Sequence, residues 1–357
     1  MLVGREPPAG KEAIMTQQGP TKARTLAKEV ATLEVIEAVG HRNLTLVPLR
    51  GQGRRHLDYI LAAEAISNGT LTVTEVDESG SVPELLAINS GEKLILLLDG
   101  EELVGAKQNR ILNTTVLLKP KSRTKIPVSC VEQGRWRHTS HEFASGGHSP
   151  SRLRGSKSRS VTASLRQRGR ADSDQGEVWE DVAYCITAAG APSPTMAMRD
   201  VVEHRQGSLN QYVDALPYPD DACGVVVAID GVFVAADIFD RPDTLGRIWQ
   251  RLITGYAMDA IGRDKDKRGT FSAKAAGVVL EHVGEIECTP CPSVGIGKDW
   301  RFEAEDIVGQ ALMANRVCVH LCAFPSDDTN GREATGPGIL PPSRRRRRVR
   351  PPDDIVD

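Results

Sequence analysis

Two stretches with the same pattern decide the fold, ILLLDGEELVGA at 95–106 and VVVAIDGVFVAA at 225–236. Each contains an apolar run, an Asp-Gly pair and a second run that ends in small residues. Asp-Gly between apolar runs is a strong hairpin signal, because both central residues of a type I′ turn need positive φ. The sequence therefore predicts two antiparallel hairpins. Their similarity leaves two alternatives open: an internal duplication, or two unrelated hairpins that use the same common turn.

Outward from these stretches, apolar segments alternate between strand and helix patterns. Alternation with period two and short apolar runs favour strands, whereas a spacing of three to four residues favours helices. We predict strands at 33–39, 44–49, 71–76, 111–118, 125–131, 278–288, 300–304, 307–312 and 317–324, and helices at 56–66, 178–189, from 193 onward and at 244–261. These elements indicate an α+β fold of mostly antiparallel strands and hairpins with several packed helices. The duplication alternative would add two related halves.

Changes in composition mark where the folded region begins and ends. Residues 1–27 are rich in Pro, Gly, Lys and Gln, and residues 327–357 are rich in Pro and Arg. Neither stretch has apolar periodicity, so we predict a disordered leader and a disordered tail around one folded region at 28–326. The folded region is expected to contain a first half (about 33–137), a basic flexible loop (about 138–175) and a second half (about 176–326).

The overall charge is close to neutral, with 45 Lys+Arg against 47 Asp+Glu and a net charge of −2. This balance excludes a protein whose whole surface is built for nucleic acid or an anionic membrane. Two local basic runs, at 152–170 and 344–350, leave non-specific nucleic-acid contact as a weak alternative. The N-terminus has no apolar signal region, and the seven cysteines are an odd number. We expect free thiols in a reducing cytoplasm, and no membrane partner.

Two polar segments that follow predicted strands carry the best ligand-binding chemistry, EELVGAKQNR at 101–110 and IPVSCVEQGRW at 126–136. Arginine can bind a phosphate or a carboxylate through two N–H groups, amide side chains can recognise polar edges, and tryptophan can stack on a planar ring. The alternative is a solvated strand end held by a structural Arg–Glu ion pair. The expected ligand-binding residues are Gln108, Asn109, Arg110, Glu132, Arg135 and Trp136.

Acidic residues after the second Asp-Gly pair give another candidate site. Asp237, Asp240 and Asp243 lie in the stretch ADIFDRPD. With the adjacent pair Glu101 and Glu102, they could bind a hard cation or act as acid–base groups. The alternative is that Asp240 or Asp243 caps the helix that follows. The catalytic residues are left unknown, with Glu101, Glu102, Asp237 and His320 as candidates.

The spacing of the cysteines gives a weaker metal hypothesis. Cys288 and Cys291 form one C-x-x-C pair, and Cys318, His320 and Cys322 would share one face of a strand. A second C-x-x-C pair is absent, and buried cysteine is an ordinary small core residue, so no metal site is assigned. The sequence also lacks G-x-G-x-x-G, Walker, G-x-S-x-G and H-E-x-x-H motifs, which leaves the cofactor unknown.

Several of these segments together resemble a known family. GEELVGAKQNRILNTTVLL (100–118), IPVSCVEQGRW (126–136), DQGEVW (174–179), GVVVAIDGVFVAADIFDRP (224–242) and VHL (319–321) are similar to the ARG and Rhodanese-Phosphatase-superfamily-associated Protein (ARPP) family. The family is named for its association with ADP-ribosylglycohydrolases and rhodanese-like phosphatases. The resemblance implies a role near ADP-ribose or nucleotide metabolism, and it brings no assigned catalytic residues. The long leader, the Arg-rich centre and the Arg-rich tail depart from the family.

The leading hypothesis is therefore a domain that binds a nucleotide-like, ADP-ribose-related small molecule, with catalysis left open. One alternative is a non-catalytic, homo-oligomeric assembly protein, because arginine and tryptophan suit subunit interfaces as well as ligand sites. A further alternative is a metal-assisted hydrolase that uses the acidic residues.

Overall fold

The computed structural model describes residues 24–77, 83–263 and 269–326. Within them the strands are β1 Leu33–Val35, β2 Val39–His41, β3 Leu44–Gly51, β4 Tyr59–Leu61, β5 Leu71–Glu75, β6 Glu84–Asn89, β7 Leu94–Leu97, β8 Glu101–Gly105, β9 Arg110–Leu112, β10 Val116–Leu118, β11 Ser122–Cys130, β12 Phe143–His148, β13 Ala222–Ile229, β14 Val232–Phe239, β15 Thr289–Pro292, β16 Lys298–Glu303, β17 Ile307–Ala314 and β18 Val317–Pro325. The helices are α1 Ala27–Val30, α2 Ala62–Ser67, α3 Ser151–Arg168, α4 Gln175–Ala189, α5 Met198–Ala215, α6 Pro242–Ile261 and α7 Ala273–Glu285.

These elements confirm the α+β prediction. The predicted tail, and the predicted leader up to residue 23, lie outside the described residues. None of the helices in the described ranges combines the length and the apolar character that crossing a bilayer requires.

Nine strands form one large antiparallel sheet. Its order is β1-β3-β13-β14-β18-β17-β16-β15, and β2 also pairs with β3. Every residue of β13 is buried, and all but the last residue of β18 are buried. Continuous apolar runs of this kind are expected for strands that are covered on both faces.

Helices supply the cover on both faces of the large sheet. On one face, Val225 and Val227 of β13 share a core with the apolar side chains of α4, α5 and α6. On the other face, Val226 shares a second core with Leu280 and Val283 of α7. Neighbouring residues of β13 enter opposite cores because side chains alternate along a strand.

Two smaller sheets contain the strands β4 to β12, and they overturn one of the predicted hairpins. Their orders are β10-β7-β4 and β12-β8-β9-β11-β6-β5, so β7 and β8 do not pair although only Asp99-Gly100 and Leu98 separate them. Asp99 lies in a turn, but its side chain is fully buried, unlike that of a typical hairpin turn residue. The second hairpin is confirmed, because β13 pairs with β14 around Asp230-Gly231, which have φ of 55° and 78°. The two similar stretches therefore adopt different arrangements.

The predicted flexible loop at 138–175 was wrong, because it contains β12 and the 18-residue helix α3. Helix α3 reads SRLRGSKSRSVTASLRQR and has hardly any apolar stripe, so periodicity could not reveal it. Ten of its residues are nevertheless buried, among them Arg154 and Lys157. Ion pairs with the rest of the fold take the place of apolar packing.

Three smaller predictions also change. The segment predicted as a strand at 278–288 belongs mainly to α7, whose N-cap Ser272 accepts a hydrogen bond from the Ala275 N–H. The predicted helix at 56–66 begins only at Ala62, since residues 59–61 form β4. The predicted strand at 111–118 divides into β9 and β10, which belong to different sheets.

Candidate functional site

The six predicted ligand-binding residues lie together where β8, β9 and β11 end or begin. Gln108 Nε2 donates to the Glu132 carbonyl at 2.9 Å, and the Asn109 N–H donates to Glu132 Oε2 at 3.2 Å. Arg110 Nη1 donates to Gln108 Oε1 at 2.7 Å. The ring of Trp136 lies 5.9 Å from Arg110 Cζ. Two loops that are distant in the sequence therefore form one cluster, which Arg135 completes.

Arg135 holds this cluster together. Its Nε and Nη2 donate to the two carboxylate oxygens of Glu132 at 2.8 and 2.6 Å. Its Nη2 and Nη1 also donate to Asn109 Oδ1 and to the Ala106 carbonyl. Burial favours the neutral acid at Glu132, but the hydrogen bonds from Arg135 and from the Asn109 N–H hold the pKa of Glu132 below its ordinary value. This pair is the structural Arg–Glu ion pair that the alternative interpretation expects.

Arg110 differs from Arg135 because most of its donors are unused. Its side chain has no exposed surface, and Nε and Nη2 have no hydrogen-bond partner. Nη1 is bonded, but to the neutral amide of Gln108. In the part of the chain that the structure describes, no carboxylate forms an ion pair with Arg110. A buried cation without a counter-ion is strongly unfavourable, so this position needs an explanation beyond stability.

The surroundings of Arg110 connect an exposed ring to a buried thiol. Trp136 is 51% exposed, and Lys107 Nζ also lies over its ring, 5.4 Å from the centroid. Cys130 is the direct partner of Arg110 across β9 and β11. Burial raises the pKa of the Cys130 thiol, against the opposing effects of Arg110 and Trp179. The thiol is therefore neutral and does not compensate the charge of Arg110.

The catalytic candidates Glu101 and Glu102 are adjacent on β8 but are tied to different helices. Arg251 of α6 lies 3.8 Å from Glu101 Oε1, and Arg199 of α5 lies 3.5 Å from Glu102 Oε2. Burial raises the pKa of both carboxyl groups, despite the hydrogen bonds that they accept. Glu102 Oε1 is buried and has no hydrogen-bond partner. Both environments favour the neutral acid, which is a poor ligand for a hard cation.

The other two catalytic candidates, Asp237 and His320, meet in a buried ionic network. His320 Nε2 lies 3.0 Å from Asp237 Oδ1, and Tyr256 donates to Asp237 Oδ2 at 2.5 Å. Arg154 of α3 donates to both oxygens of Asp237, at 2.8 and 2.6 Å. Burial would raise the pKa of Asp237, but the guanidinium of Arg154 holds it far below its ordinary value. The aspartate is therefore fixed in its ionised form.

The same network continues to Asp99. Arg154 Nε donates to Asp99 Oδ2 at 3.1 Å, and Lys157 donates to Asp99 Oδ1 and to the Leu112 carbonyl. Burial disfavours the charged form of Asp99, yet Lys157 and Arg154 hold its pKa below the ordinary value. The two cations of α3 thus compensate the two carboxylates of Asp99 and Asp237, and none of these four side chains has exposed surface. Sequence reasoning did not identify Arg154, Lys157 and Asp99 as buried ions. The only sequence signal was that Arg154 and Lys157 are three residues apart, which places them on one face of a helix, in a segment with few apolar residues.

The acidic stretch that begins at Asp237 does not form one site. Asp240 accepts hydrogen bonds from the Leu57 N–H at 2.9 Å and from the Tyr59 hydroxyl at 2.5 Å. Asp243 pairs with Arg247 on the exposed side of α6. Neither aspartate caps this helix, whose N-cap residue is Arg241, so the cap prediction was wrong. Asp240 is instead drawn toward β4, where it satisfies two donors.

The buried cysteines of the metal hypothesis are divided between two cores. Cys288 and Cys318 lie in the core beneath α7, whereas Cys322 lies in the core on the opposite face of the sheet. A bulge in β18 shifts the register between His320 and Cys318. Cys318 and Cys322 therefore lie on opposite faces of the sheet, whereas the sequence predicted a shared face.

Within the described residues, one set of potential metal ligands has its atoms within 4.8 Å of one another: Asp237, His320 and Cys322. Both oxygens of Asp237 already accept hydrogen bonds from Arg154. A metal ion there would lie against a buried guanidinium and would repel it. These three residues therefore do not fit a metal site.

Several cations of the basic central segment pair with carboxylates of the fold. Arg152 pairs with Asp181, Arg166 with Glu303, and Arg170 with Asp172 and Glu84. Non-specific nucleic-acid contact through this segment stays a prediction, and the second basic run at 344–350 lies outside the described residues.

Comparison with known proteins places the chain in a family. The sequence model of the ARG and Rhodanese-Phosphatase-superfamily-associated Protein domain, ARPP-1, matches residues 32–324. This match spans most of the chain, so the protein belongs to that family, as the resemblance of its polar segments indicated. No curated protein and no solved structure matches the chain.

Proposed function

We propose that this ARPP-1 family member binds a nucleotide-like, anionic small molecule, related to ADP-ribose, at the cluster of Arg110 and Trp136. The observation that carries the proposal is the buried guanidinium of Arg110, with Nε and Nη2 unpartnered. The family's association with ADP-ribosylglycohydrolases, which its name records, supports a ligand of this class.

An anionic group would satisfy what Arg110 lacks. A phosphate or carboxylate oxygen accepts hydrogen bonds from a guanidinium in a planar, two-bond geometry and supplies the missing negative charge. Gln108 holds Nη1, so the two remaining nitrogens, Nε and Nη2, lie along one edge of the guanidinium group. This edge is the one that a phosphate commonly uses.

Trp136 lies between the buried Arg110 and the solvent in the proposed site. Arg110 itself has no exposed surface, and the ring of Trp136 lies over it. In the proposed complex the Trp136 ring moves aside and an anion reaches Nε and Nη2. The ring is half exposed, so it can move at little energetic cost and can then stack on a planar base of the ligand.

The other four residues of the cluster hold Arg110 and Trp136 in position. The ion pair of Arg135 and Glu132 fixes the loop that carries Trp136. Gln108 and Asn109 are bonded to Glu132 and so fix the start of β9. Preorganisation of this kind lowers the entropy that ligand binding must overcome.

A thermal-shift screen tests the proposal. The purified chain is heated with ADP-ribose, NAD, AMP or ADP, beside the variants Arg110→Ala and Arg247→Ala. Arg247 is an exposed arginine on α6 and serves as the matched control. A ligand at about 100 times its Kd should stabilise the fold by roughly 2.7 kcal/mol. We expect such a shift in the wild type and in Arg247→Ala but not in Arg110→Ala; an equal shift in all three would place the ligand elsewhere, and no shift with any nucleotide would contradict the proposal.

A further inference from the structure

The segment that follows Arg135 is an exposed surface of aromatic and basic residues. All seven residues from Trp136 to Glu142, with the sequence WRHTSHE, are exposed. Four of the seven side chains can contact a nucleic-acid chain by stacking or by charge: Trp136, Arg137, His138 and His141. Glu142 is the single acidic residue among them. We call residues 136–142 the WRH loop.

The WRH loop is held firmly against the end of β8. Arg135 donates to the carbonyls of Gly105 and Ala106, and the Thr139 N–H donates to the same Ala106 carbonyl at 3.0 Å. The Ala106 N–H in turn donates to Ser140 Oγ at 2.9 Å. Ala106 directly follows β8 and has a φ of 41°, so the chain turns sharply where the strand ends. Side chains on a loop fixed at several points are presented in a defined arrangement, as binding groups usually are.

Three basic side chains lie near Trp136. Lys107 Nζ and Arg110 lie over the Trp136 ring, and Arg137 follows in the chain. The rings of His138 and His141 lie 6.3 Å apart, farther along the loop. Aromatic rings that stack on bases, next to cations that contact the backbone, are the usual elements of a surface for single-stranded nucleic acid.

We infer that the WRH loop binds a single-stranded polynucleotide, of which the nucleotide-like ligand at Arg110 and Trp136 is one unit. This inference rests on the proposed function and adds the class of ligand. One base stacks on Trp136, and neighbouring phosphates contact Arg137, His138 and His141. Binding is tolerant of base sequence, because every base has a face that can stack.

Fluorescence anisotropy with a labelled decathymidylate tests this inference on the full chain. The decathymidylate should bind at least about tenfold more tightly than a mononucleotide, because several phosphates contribute. Trp136→Ala should weaken binding by roughly tenfold, as expected for the loss of one stacked base. The triple variant Arg137→Ala, His138→Ala, His141→Ala should remove the gain with length. It should also flatten the dependence on salt by about 0.7 in log–log slope, for the one phosphate that Arg137 neutralises.

The control is Arg123→Ala, Lys125→Ala, which removes two exposed cations from β11 and should bind like the wild type. All variants keep the basic run at 344–350, so its contribution cancels in the comparison. The inference is overturned if the decathymidylate binds no more tightly than a mononucleotide, if the triple variant behaves like the control, or if a duplex of equal length binds as well.

These outcomes separate the inference from the proposed function. The triple variant keeps Arg110 and Trp136, so its thermal shift with ADP-ribose should persist. If that shift persists and the gain with length is absent, only the polynucleotide inference fails. If the shift is absent in the wild type as well, the proposed function fails with it.

Discussion

Replacing Asp237 by Asn should destabilise the protein severely, although the two side chains have nearly the same shape. Asp237 accepts four hydrogen bonds, two of them from Arg154. The substitution leaves two buried cations, Arg154 and Lys157, with a single carboxylate, Asp99. It also places an amide N–H₂ group against donors that now point at a carboxylate oxygen. Breaking a buried ion pair by removing one partner costs about 3–5 kcal/mol. That is a large part of the roughly 5–15 kcal/mol by which a typical protein is stable.

The matched control is Asp243→Asn, because Asp243 also pairs with an arginine but both partners are 53% exposed. Exposed pairs contribute about 0–1 kcal/mol. Urea unfolding followed by circular dichroism would give the free energy of unfolding of each variant. We expect Asp237→Asn to lower it by about 3–5 kcal/mol, with a fall in Tm of at least about 6 °C, and Asp243→Asn to lower it by less than about 1 kcal/mol. Equal losses in the two variants would refute the view that the buried network stabilises the fold.

Three further predictions concern other parts of the molecule. Burial lowers the pKa of His148 to about 3, whereas an unfolded histidine titrates near 6.5. The unfolded chain therefore takes up the proton first, and the free energy of unfolding should fall by up to about 1.4 kcal/mol per pH unit below about pH 6.5. The variant His148→Gln should lack this contribution, so its unfolding free energy should differ from that of the wild type by different amounts at pH 7.5 and pH 5. Urea unfolding at the two pH values measures this difference, and an unchanged difference would contradict the prediction. Arg110→Met should leave the unliganded protein as stable as the wild type or more stable, because it removes an uncompensated buried charge; a Tm lowered by more than about 4 °C would instead assign Arg110 a structural role. Gly255→Ala should destabilise the fold by about 1–3 kcal/mol, because the new Cβ atom would lie 2.9 Å from the carbonyl oxygens of His148 and Ser149. In Gly207→Ala the new Cβ atom would have no neighbouring atom within 4 Å. That variant should be neutral or stabilising in the same urea denaturation assay.

The parts of the fold that sequence reasoning recovered are those with apolar periodicity. The strands β13, β14, β17 and β18 and the helices α4 and α6 carry clear patterns, and each was predicted within a few residues. Helix α3 was missed because polar contacts stabilise it, and such contacts leave no period in the hydrophobicity. Helix α7 was missed because Val278 and Val279, which are β-branched, favoured a strand, although Ala276, Leu280 and Val283 have helical spacing.

The Asp-Gly pairs show why a local signal can be correct at one place and wrong at another. At Asp230-Gly231 both residues adopt positive φ and close a hairpin. At Asp99-Gly100 only Gly100 does so, with a φ of 77°, and the aspartate side chain pairs with Arg154 and Lys157. The partners lie more than 50 residues away in the sequence, so no local pattern could indicate that Asp99 is a buried ion.

The candidate site was predictable by residue type but not by role. The polar segments at 101–110 and 126–136 do meet, as side chains at the ends of neighbouring strands often do. The division of labour between the two arginines depends on their hydrogen-bond partners: Arg135 is saturated by Glu132 and by carbonyl groups, and Arg110 has two unused donors. Only the three-dimensional arrangement shows this difference.

A crystal structure of the protein soaked with ADP-ribose would test the proposed site most directly. We expect a phosphate oxygen within about 3 Å of Arg110 Nε or Nη2, with the ring of Trp136 displaced from its place over Arg110 and stacked on the adenine. ADP-ribose bound at any other surface, with Arg110 Nε and Nη2 still unpartnered beneath Trp136, would contradict the assignment of this cluster as the ligand site.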